Sequence, residues 1–193
     1  ARLLVLDKKS GRLEHASFDR LGEFLRKDDL LVLNNTKVLP ARLQGNRLTG
    51  GKVDLLLLSQ LGKGTFRAFI KPSRLKIGEK IIFDSGKLYG VVKSRNEITF
   101  NTQDPKSIYG LGRMPLPPYI KRDPGELDDI FYQTVYAKAE GAIASPTAGL
   151  HFTQGLLKNL QKTGIDVGYL TLHVGVGTFA PVKAQDIREH RME

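Results

Sequence analysis

Two stretches of this sequence gather imidazole, hydroxyl and glycine residues in a way that suits substrate chemistry. Ala144-Ser145-Pro146-Thr147-Ala148-Gly149-Leu150-His151-Phe152-Thr153 is answered further on by Thr171-Leu172-His173-Val174-Gly175-Val176-Gly177-Thr178-Phe179. Glycines let backbone amides approach a ligand closely, hydroxyls and imidazoles supply short-range donors and acceptors, and the flanking Leu, Val and Phe residues bury the frame that holds them. A single histidine is most simply structural. Two histidines in similar surroundings point to a shared pocket. Gly175-Val176-Gly177 lacks the third glycine and the following helix of a dinucleotide fingerprint, which argues against NAD. Glu189, His190 and Glu193 would fall together on a helix, but no HExxH order exists and a solvated helix face explains them, so no metal is expected.

The elements that must position these groups can be read from the pattern. Arg2–Asp7 and Leu13–Ser17, separated by a Ser-Gly turn, predict a hairpin. Phe18, Leu21, Phe24 and Leu25 predict a short helix leading into the apolar strand Leu30–Leu33. Asn34-Asn35-Thr36-Lys37 follows that strand directly. At the carboxyl end of a strand in an open α/β sheet such amides and hydroxyls can bond a base or ribose, and the same residues can equally close a turn. From Leu39 to about Tyr119 the texture changes to short β-rich runs: Val53–Leu58, Thr65–Ile70, Lys80–Phe83, Leu88–Lys93 and Glu97–Phe100. With no helical runs between them, they predict a small antiparallel barrel or sandwich. The prolines of Met114-Pro115-Leu116-Pro117-Pro118-Tyr119-Ile120 predict a stiff extended connector. Thr153 is a good N-cap for a helix carrying Leu156, Leu157 and Leu160 and stopped by Gly164, after which Ile165–Val174 reads as a strand and Asp186–Met192 as a helix start. The expected fold is α/β, with an α/β domain interrupted by an inserted small antiparallel β-barrel. The expected boundaries give a discontinuous α/β domain of residues 1–38 and 134–193, incomplete at both ends, and an inserted barrel domain of residues 39–133.

Composition narrows the partners. The 193 residues carry thirty Lys and Arg against twenty Asp and Glu, a net charge of +10, which favours a polyanion because each neutralised phosphate releases counterions. The absence of cysteine excludes disulfides, thiol catalysis and Cys-ligated zinc. No apolar run is long enough to span a bilayer and no signal peptide opens the chain, so a cytoplasmic protein without a membrane partner is expected. Both ends interrupt elements, which predicts part of a longer chain.

Leu31-Val32-Leu33-Asn34-Asn35-Thr36-Lys37-Val38-Leu39-Pro40-Ala41-Arg42, Met114–Ile120, Tyr132-Gln133-Thr134-Val135-Tyr136-Ala137, Ser145–Thr153 and Thr171–Phe179, taken in order, resemble the S-adenosylmethionine:tRNA ribosyltransferase-isomerases of queuosine biosynthesis. Glu189-His190-Arg191-Met192 is similar to the family's Glu-His-x-Met-His-x-Glu element, which this chain leaves at Glu193. The resemblance implies an α/β domain with an inserted β-barrel, and a longer full protein. It implies transfer and isomerisation of the ribosyl group of S-adenosylmethionine onto 7-aminomethyl-7-deazaguanine at the wobble position of tRNA, giving epoxyqueuosine-tRNA, adenine and methionine. S-adenosylmethionine is then a consumed substrate, no cofactor is expected, and a monomer is the expected state.

That chemistry needs a base for the carbon beside the sulfonium and an acid for the departing adenine. Imidazole suits both steps, which makes His151 and His173 the candidate catalytic residues. By the matched motifs Thr147, Gly149, Gly175, Gly177 and Thr178 would shape the pocket, and Asn34, Asn35, Thr36 and Arg42 would engage nucleoside or phosphate. Lys71, Arg74, Lys121 and Arg122 are the candidate contacts to the tRNA backbone. A non-catalytic RNA-binding module with a β-barrel surface is the alternative, although no RNA-binding aromatic motif stands out. A methyltransferase would need a glycine-rich loop after its first strand, where this chain has Asn-Asn-Thr.

Overall fold

The computed structural model describes residues 1–179 and 184–189. The chain opens with the expected hairpin: β1 (Arg2–Leu6) and β2 (Leu13–Ser17) pair antiparallel from Arg2↔Ser17 to Leu6↔Leu13. Phe18–Phe24 is a 3-10 helix, not an α-helix. Its partly buried residues Phe18, Leu21 and Phe24 recur every third position, the spacing that a helix with three residues per turn stacks on one side. β3 (Leu30–Asn34) and β4 (Thr36–Val38) follow with one residue between them.

The barrel is built from β5 (Arg42–Arg47), β6 (Lys52–Gly62), β7 (Thr65–Lys71), β8 (Lys80–Phe83), β9 (Leu88–Ser94) and β10 (Glu97–Phe100). The strands close in the order β10-β7-β6-β5-β8-β9, each antiparallel to its neighbours, so no strand is left with an unpaired edge. Strict alternation drives this closure. In β7, Phe66, Ala68 and Ile70 point inward while Arg67, Phe69 and Lys71 point outward. Phe66, Leu55, Ile81 and Ile98 are fully buried at the centre, each worth about 1.5–3 kcal/mol of burial. A one-turn helix, α1 (Pro105–Tyr109), is capped by Asp104 and sends Ile108 into the same core.

Beyond the barrel, the proline-rich connector leads to α2 (Glu126–Phe131), β11 (Ala139–Ala142), α3 (Gln154–Lys162) and β12 (Asp166–Leu170). α3 is the helix anticipated from its cap: the Thr153 hydroxyl accepts the Leu156 N–H at 3.1 Å, Leu157 and Leu160 are buried, and Gly164 ends the helix at φ +86°. β3 and β4 act as one strand that changes neighbours at Asn35. β12 lies parallel to β3 from Asp166↔Leu30 to Leu170↔Asn34, and β11 lies parallel to β4 from Ala139↔Thr36 to Ala142↔Val38. The Asn35 N–H reaches the Leu170 carbonyl on one side at 2.9 Å, and the Asn35 carbonyl accepts from Lys138 and Ala139 on the other at 2.8 and 3.1 Å. The path from β11 through α3 to β12 connects the two parallel pairs, and the carboxyl ends of β3 and β12, at Asn34 and Leu170, meet the start of β4 and β11, at Thr36 and Ala139. The fold is therefore α/β with a closed antiparallel barrel.

Candidate active site

The extended run expected to Val174 stops pairing at Leu170, because the next residues turn across the strand ends. The Asn34 side chain makes that turn possible. Its carboxamide donates to the Leu172 carbonyl at 2.9 Å and accepts the Leu172 N–H at 3.0 Å, a one-residue imitation of a strand ladder. The Thr171 hydroxyl donates to the Asn35 carboxamide oxygen at 2.7 Å. Further along, the Val174 carbonyl accepts the N–H groups of Ile143 and Ala144 at 2.9 and 3.4 Å. Residues 171–174 thus join the end of β3 to the end of β11, and Asn34, Asn35 and Thr36 form the floor beneath them. Of the two readings of the Asn-Asn-Thr stretch, Asn34 shows the turn-forming one, and Thr36 faces an imidazole of the same chain.

His173 is held from two sides. Its Nδ1 lies 2.8 Å from the hydroxyl of Thr36, a side chain only 1 % exposed. The ring sits on the backbone of Gly141, where an added Cβ would come within 2.7–2.8 Å of Cε1, Nδ1 and Nε2. Gly141 also has φ +149°, which favours glycine. Fixing Nδ1 leaves Nε2 as the ring nitrogen for chemistry, and a hydroxyl can donate or accept, so Thr36 supports either tautomer. His173 is itself exposed. A proton acceptor that is both oriented and accessible is what a general base requires.

His151 occupies a different setting. It ends the 3-10 turn Thr147–His151, is exposed, and packs against the ring of Phe18 with centroids 5.3 Å apart. Among the described residues no hydrogen bond joins it to His173. Thr147 is exposed at the start of that turn, whereas Gly149 is buried where a Cβ would run into the Tyr136 hydroxyl and Thr134 Cγ2. Gly149 therefore permits the turn to dock on the Tyr132–Ala137 segment. Gln133 anchors that segment by bonding both the N–H and the carbonyl of Val38, at 3.0 and 2.7 Å. Burial raises the Tyr132 and Tyr136 phenols above their ordinary range, so both stay neutral at physiological pH. Gly175 and Thr178 are exposed beside Gly177 in the stretch that ends in the 3-10 turn Val176–Phe179. Glu189 closes a 3-10 turn, Ile187–Glu189, where a helix start was expected; the remainder of that element, with His190 and Glu193, lies outside the described residues.

A cleft of about 670 Å³ separates the barrel wall from the connector, and Val176 carries the second glycine-rich stretch to its border. Arg42, Lys71, Lys121 and Arg122 all line it. The two arginines are already engaged. Arg42 forms a two-pronged pair with Asp54 at 3.0 and 2.7 Å, and Arg122 does the same with Asp128 at 2.6 and 2.7 Å. Lys71 and Lys121 are exposed and make no ion pair among the described residues. Arg74 is exposed in the β7–β8 loop, outside the cleft lining. Gly141 and Gln133 were not read from the sequence because each acts through a partner far along the chain, and Asp54 because its partner Arg42 sits on the neighbouring strand.

Asp128 is the electrostatic anchor of the connector. The Arg122 guanidinium and the Gly125 N–H, 2.7 Å away, hold its carboxyl at about 2 against an ordinary 3.8. A lowered folded-state value stabilises above the unfolded value, and that contribution disappears as pH falls through the folded one. Between about pH 4 and pH 2 the melting temperature of the wild type should accordingly fall further than that of Asp128→Asn. Parallel melting curves for the two proteins would contradict this account of the pair.

Fold and side-chain placement together define an α/β protein in which a held imidazole at the junction of two parallel strand pairs accompanies a barrel with a basic cleft. The chain belongs to the queuosine biosynthesis protein family, whose model matches residues 1–193. It is 46% identical over 201 residues to the S-adenosylmethionine:tRNA ribosyltransferase-isomerase of Clostridioides difficile and 47% identical over 198 residues to that of Thermosipho africanus, matching 100% of this chain and 58% of each relative. The chain therefore spans less than two thirds of the length of these curated relatives. Among solved structures, the S-adenosylmethionine tRNA ribosyltransferase of Thermotoga maritima matches at 30% identity and a TM-score of 0.36, covering 90% of this chain and 50% of that one.

Proposed function

We propose that the intact protein transfers and isomerises the ribosyl group of S-adenosylmethionine onto 7-aminomethyl-7-deazaguanine at the wobble position of tRNA, yielding epoxyqueuosine-tRNA, adenine and methionine. Membership of the queuosine family supports the pathway, and the relatives' names support the reaction. The observation that carries the assignment to this part of the chain is the imidazole of His173, fixed by Thr36 and Gly141 where the β3–β12 pair gives way to the β4–β11 pair. Its Nε2 takes the proton from the carbon beside the sulfonium, which the positive sulfur already acidifies. S-adenosylmethionine is consumed, and the chemistry asks for no metal or further cofactor. Geometry favours His173 over His151 for this step, since His151 has an aromatic neighbour but no partner that fixes a ring nitrogen among the described residues.

In this reading Thr36, Thr147, Gly175, Gly177 and Thr178 border the nucleoside, while Asn34 and Asn35 hold the turn at residues 171–172 and Gly149 seats the Thr147–His151 turn behind it. Lys71 and Lys121 contact tRNA phosphates, Arg74 extends that basic surface, and Arg42 and Arg122 hold the walls of the cleft through their carboxylate partners. The discontinuous domain of residues 1–38 and 134–193 supplies the chemistry, and the insert of residues 39–133 supplies the RNA surface. A barrel that closes on itself between Arg42 and Phe100 supports that division. A cytoplasmic monomer fits a tRNA-modifying role, and no helix among the described residues is long and apolar enough to cross a membrane. Incubating the intact protein with S-adenosylmethionine should release adenine only when tRNA carrying the aminomethyl base is added. Binding of that tRNA with no adenine release would favour the RNA-binding module instead.

A further inference from the structure

The outer wall of the barrel presents an aromatic ring where the sequence showed no RNA-binding motif. Phe69 points outward from β7 and is 50% exposed. The strand registers place it beside Leu56 of β6, which in turn lies beside Arg42 of β5. One step along the same face, Lys71 lies beside Asp54. All five residues line the cleft, and the prolines of the connector form its other wall. An apolar ring is thus set in a polar and cationic frame, in a space of about 670 Å³ that suits a nucleotide.

Phe69 is not needed to fill the barrel core, because inward-facing Phe66, Ala68 and Ile70 do that from the same strand. We infer that Phe69 is a stacking platform for one unpaired base of the RNA substrate, with the ammonium groups of Lys71 and Lys121 receiving the adjoining phosphates. The inference rests on the proposed tRNA reading and specifies how that partner is held. Every base has a π-face, so stacking tolerates any sequence, and lysines beside the ring add salt-dependent attraction. The chain's +10 charge favours this polyanionic occupant.

The test measures binding of an anticodon stem–loop RNA and of S-adenosylmethionine to the intact protein, comparing wild type, Phe69→Ala, Phe69→Leu, Phe69→Trp and Lys71→Ala. Phe69→Ala should weaken RNA binding about 5- to 150-fold with the salt dependence and the S-adenosylmethionine affinity unchanged. Phe69→Trp should restore binding and Phe69→Leu should not, which separates a stacking ring from mere apolar bulk. Lys71→Ala should lower the salt slope by about one phosphate contact. Wild-type RNA affinity in Phe69→Ala, or full rescue by leucine, would overturn the platform alone. Loss of S-adenosylmethionine binding with RNA binding intact would overturn it in favour of the adenine ring. Failure of the wild type to bind RNA would overturn the tRNA reading itself and the platform with it.

Discussion

Replacing His173 by alanine in the intact protein should lower tRNA-dependent adenine release by about 10²–10⁴-fold. S-adenosylmethionine binding and thermal unfolding should stay close to wild type, since the ring is exposed and lies over backbone rather than in a core. The contrast with His151→Ala is the informative part. His151 packs on Phe18, so its loss should act mainly on the stability of the turn and only weakly on turnover in the folded fraction. Near wild-type turnover in His173→Ala would put the base elsewhere, including in the length that the relatives have and this chain does not.

Gly141→Ala should reproduce most of that loss without touching the histidine. The new Cβ would stand 2.7–2.8 Å from three atoms of the imidazole, so the ring must leave the Thr36 hydroxyl. A displacement near 1 Å can cost on the order of 10²-fold in rate. The backbone at φ +149° adds strain of about 1–3 kcal/mol for a residue with a Cβ, so turnover must be normalised to folded protein. Thr36→Val removes only the hydroxyl partner of Nδ1, and Thr36→Ser restores it. A fall in the first with recovery in the second is the expected result. Equal rates in Thr36→Val and wild type would leave Thr36 as a packing residue.

Much of the fold is legible from local pattern because its elements bury one face each. Buried and outward positions alternate through β7, β8 and β10 and through the first parts of β6 and β9, and the Thr153 cap and Gly164 stop delimit α3. β5 and β11 escape such reading for a physical reason. In Arg42-Leu43-Gln44-Gly45-Asn46-Arg47 the inward positions are Leu43 and Gly45, and in Ala139-Glu140-Gly141-Ala142 there is no large apolar residue at all. Tertiary hydrogen bonding, not propensity, makes them strands. The helix start at Phe18 carries a spacing of three, which a short apolar segment satisfies as a 3-10 turn.

Candidate site residues divide along the same line. His173, Asn34 and Thr36 stand out as types at a strand end, and the junction of the two strand pairs brings them together. Gly141 does not stand out, because its significance lies in a ring that arrives from another strand. Arg42 and Arg122 look like phosphate ligands in sequence, yet each guanidinium is filled by a carboxylate, Asp54 and Asp128 respectively. Charge type is visible in a sequence, but whether a charge is already paired is decided by the fold.

The most direct measurement is mass spectrometry of the wobble nucleoside after tRNA carrying 7-aminomethyl-7-deazaguanine is incubated with S-adenosylmethionine and the intact protein, wild type or His173→Ala. The account predicts the mass of epoxyqueuosine with wild type and almost none with the variant. A methyl addition, or an unchanged nucleoside with wild-type protein, would contradict it.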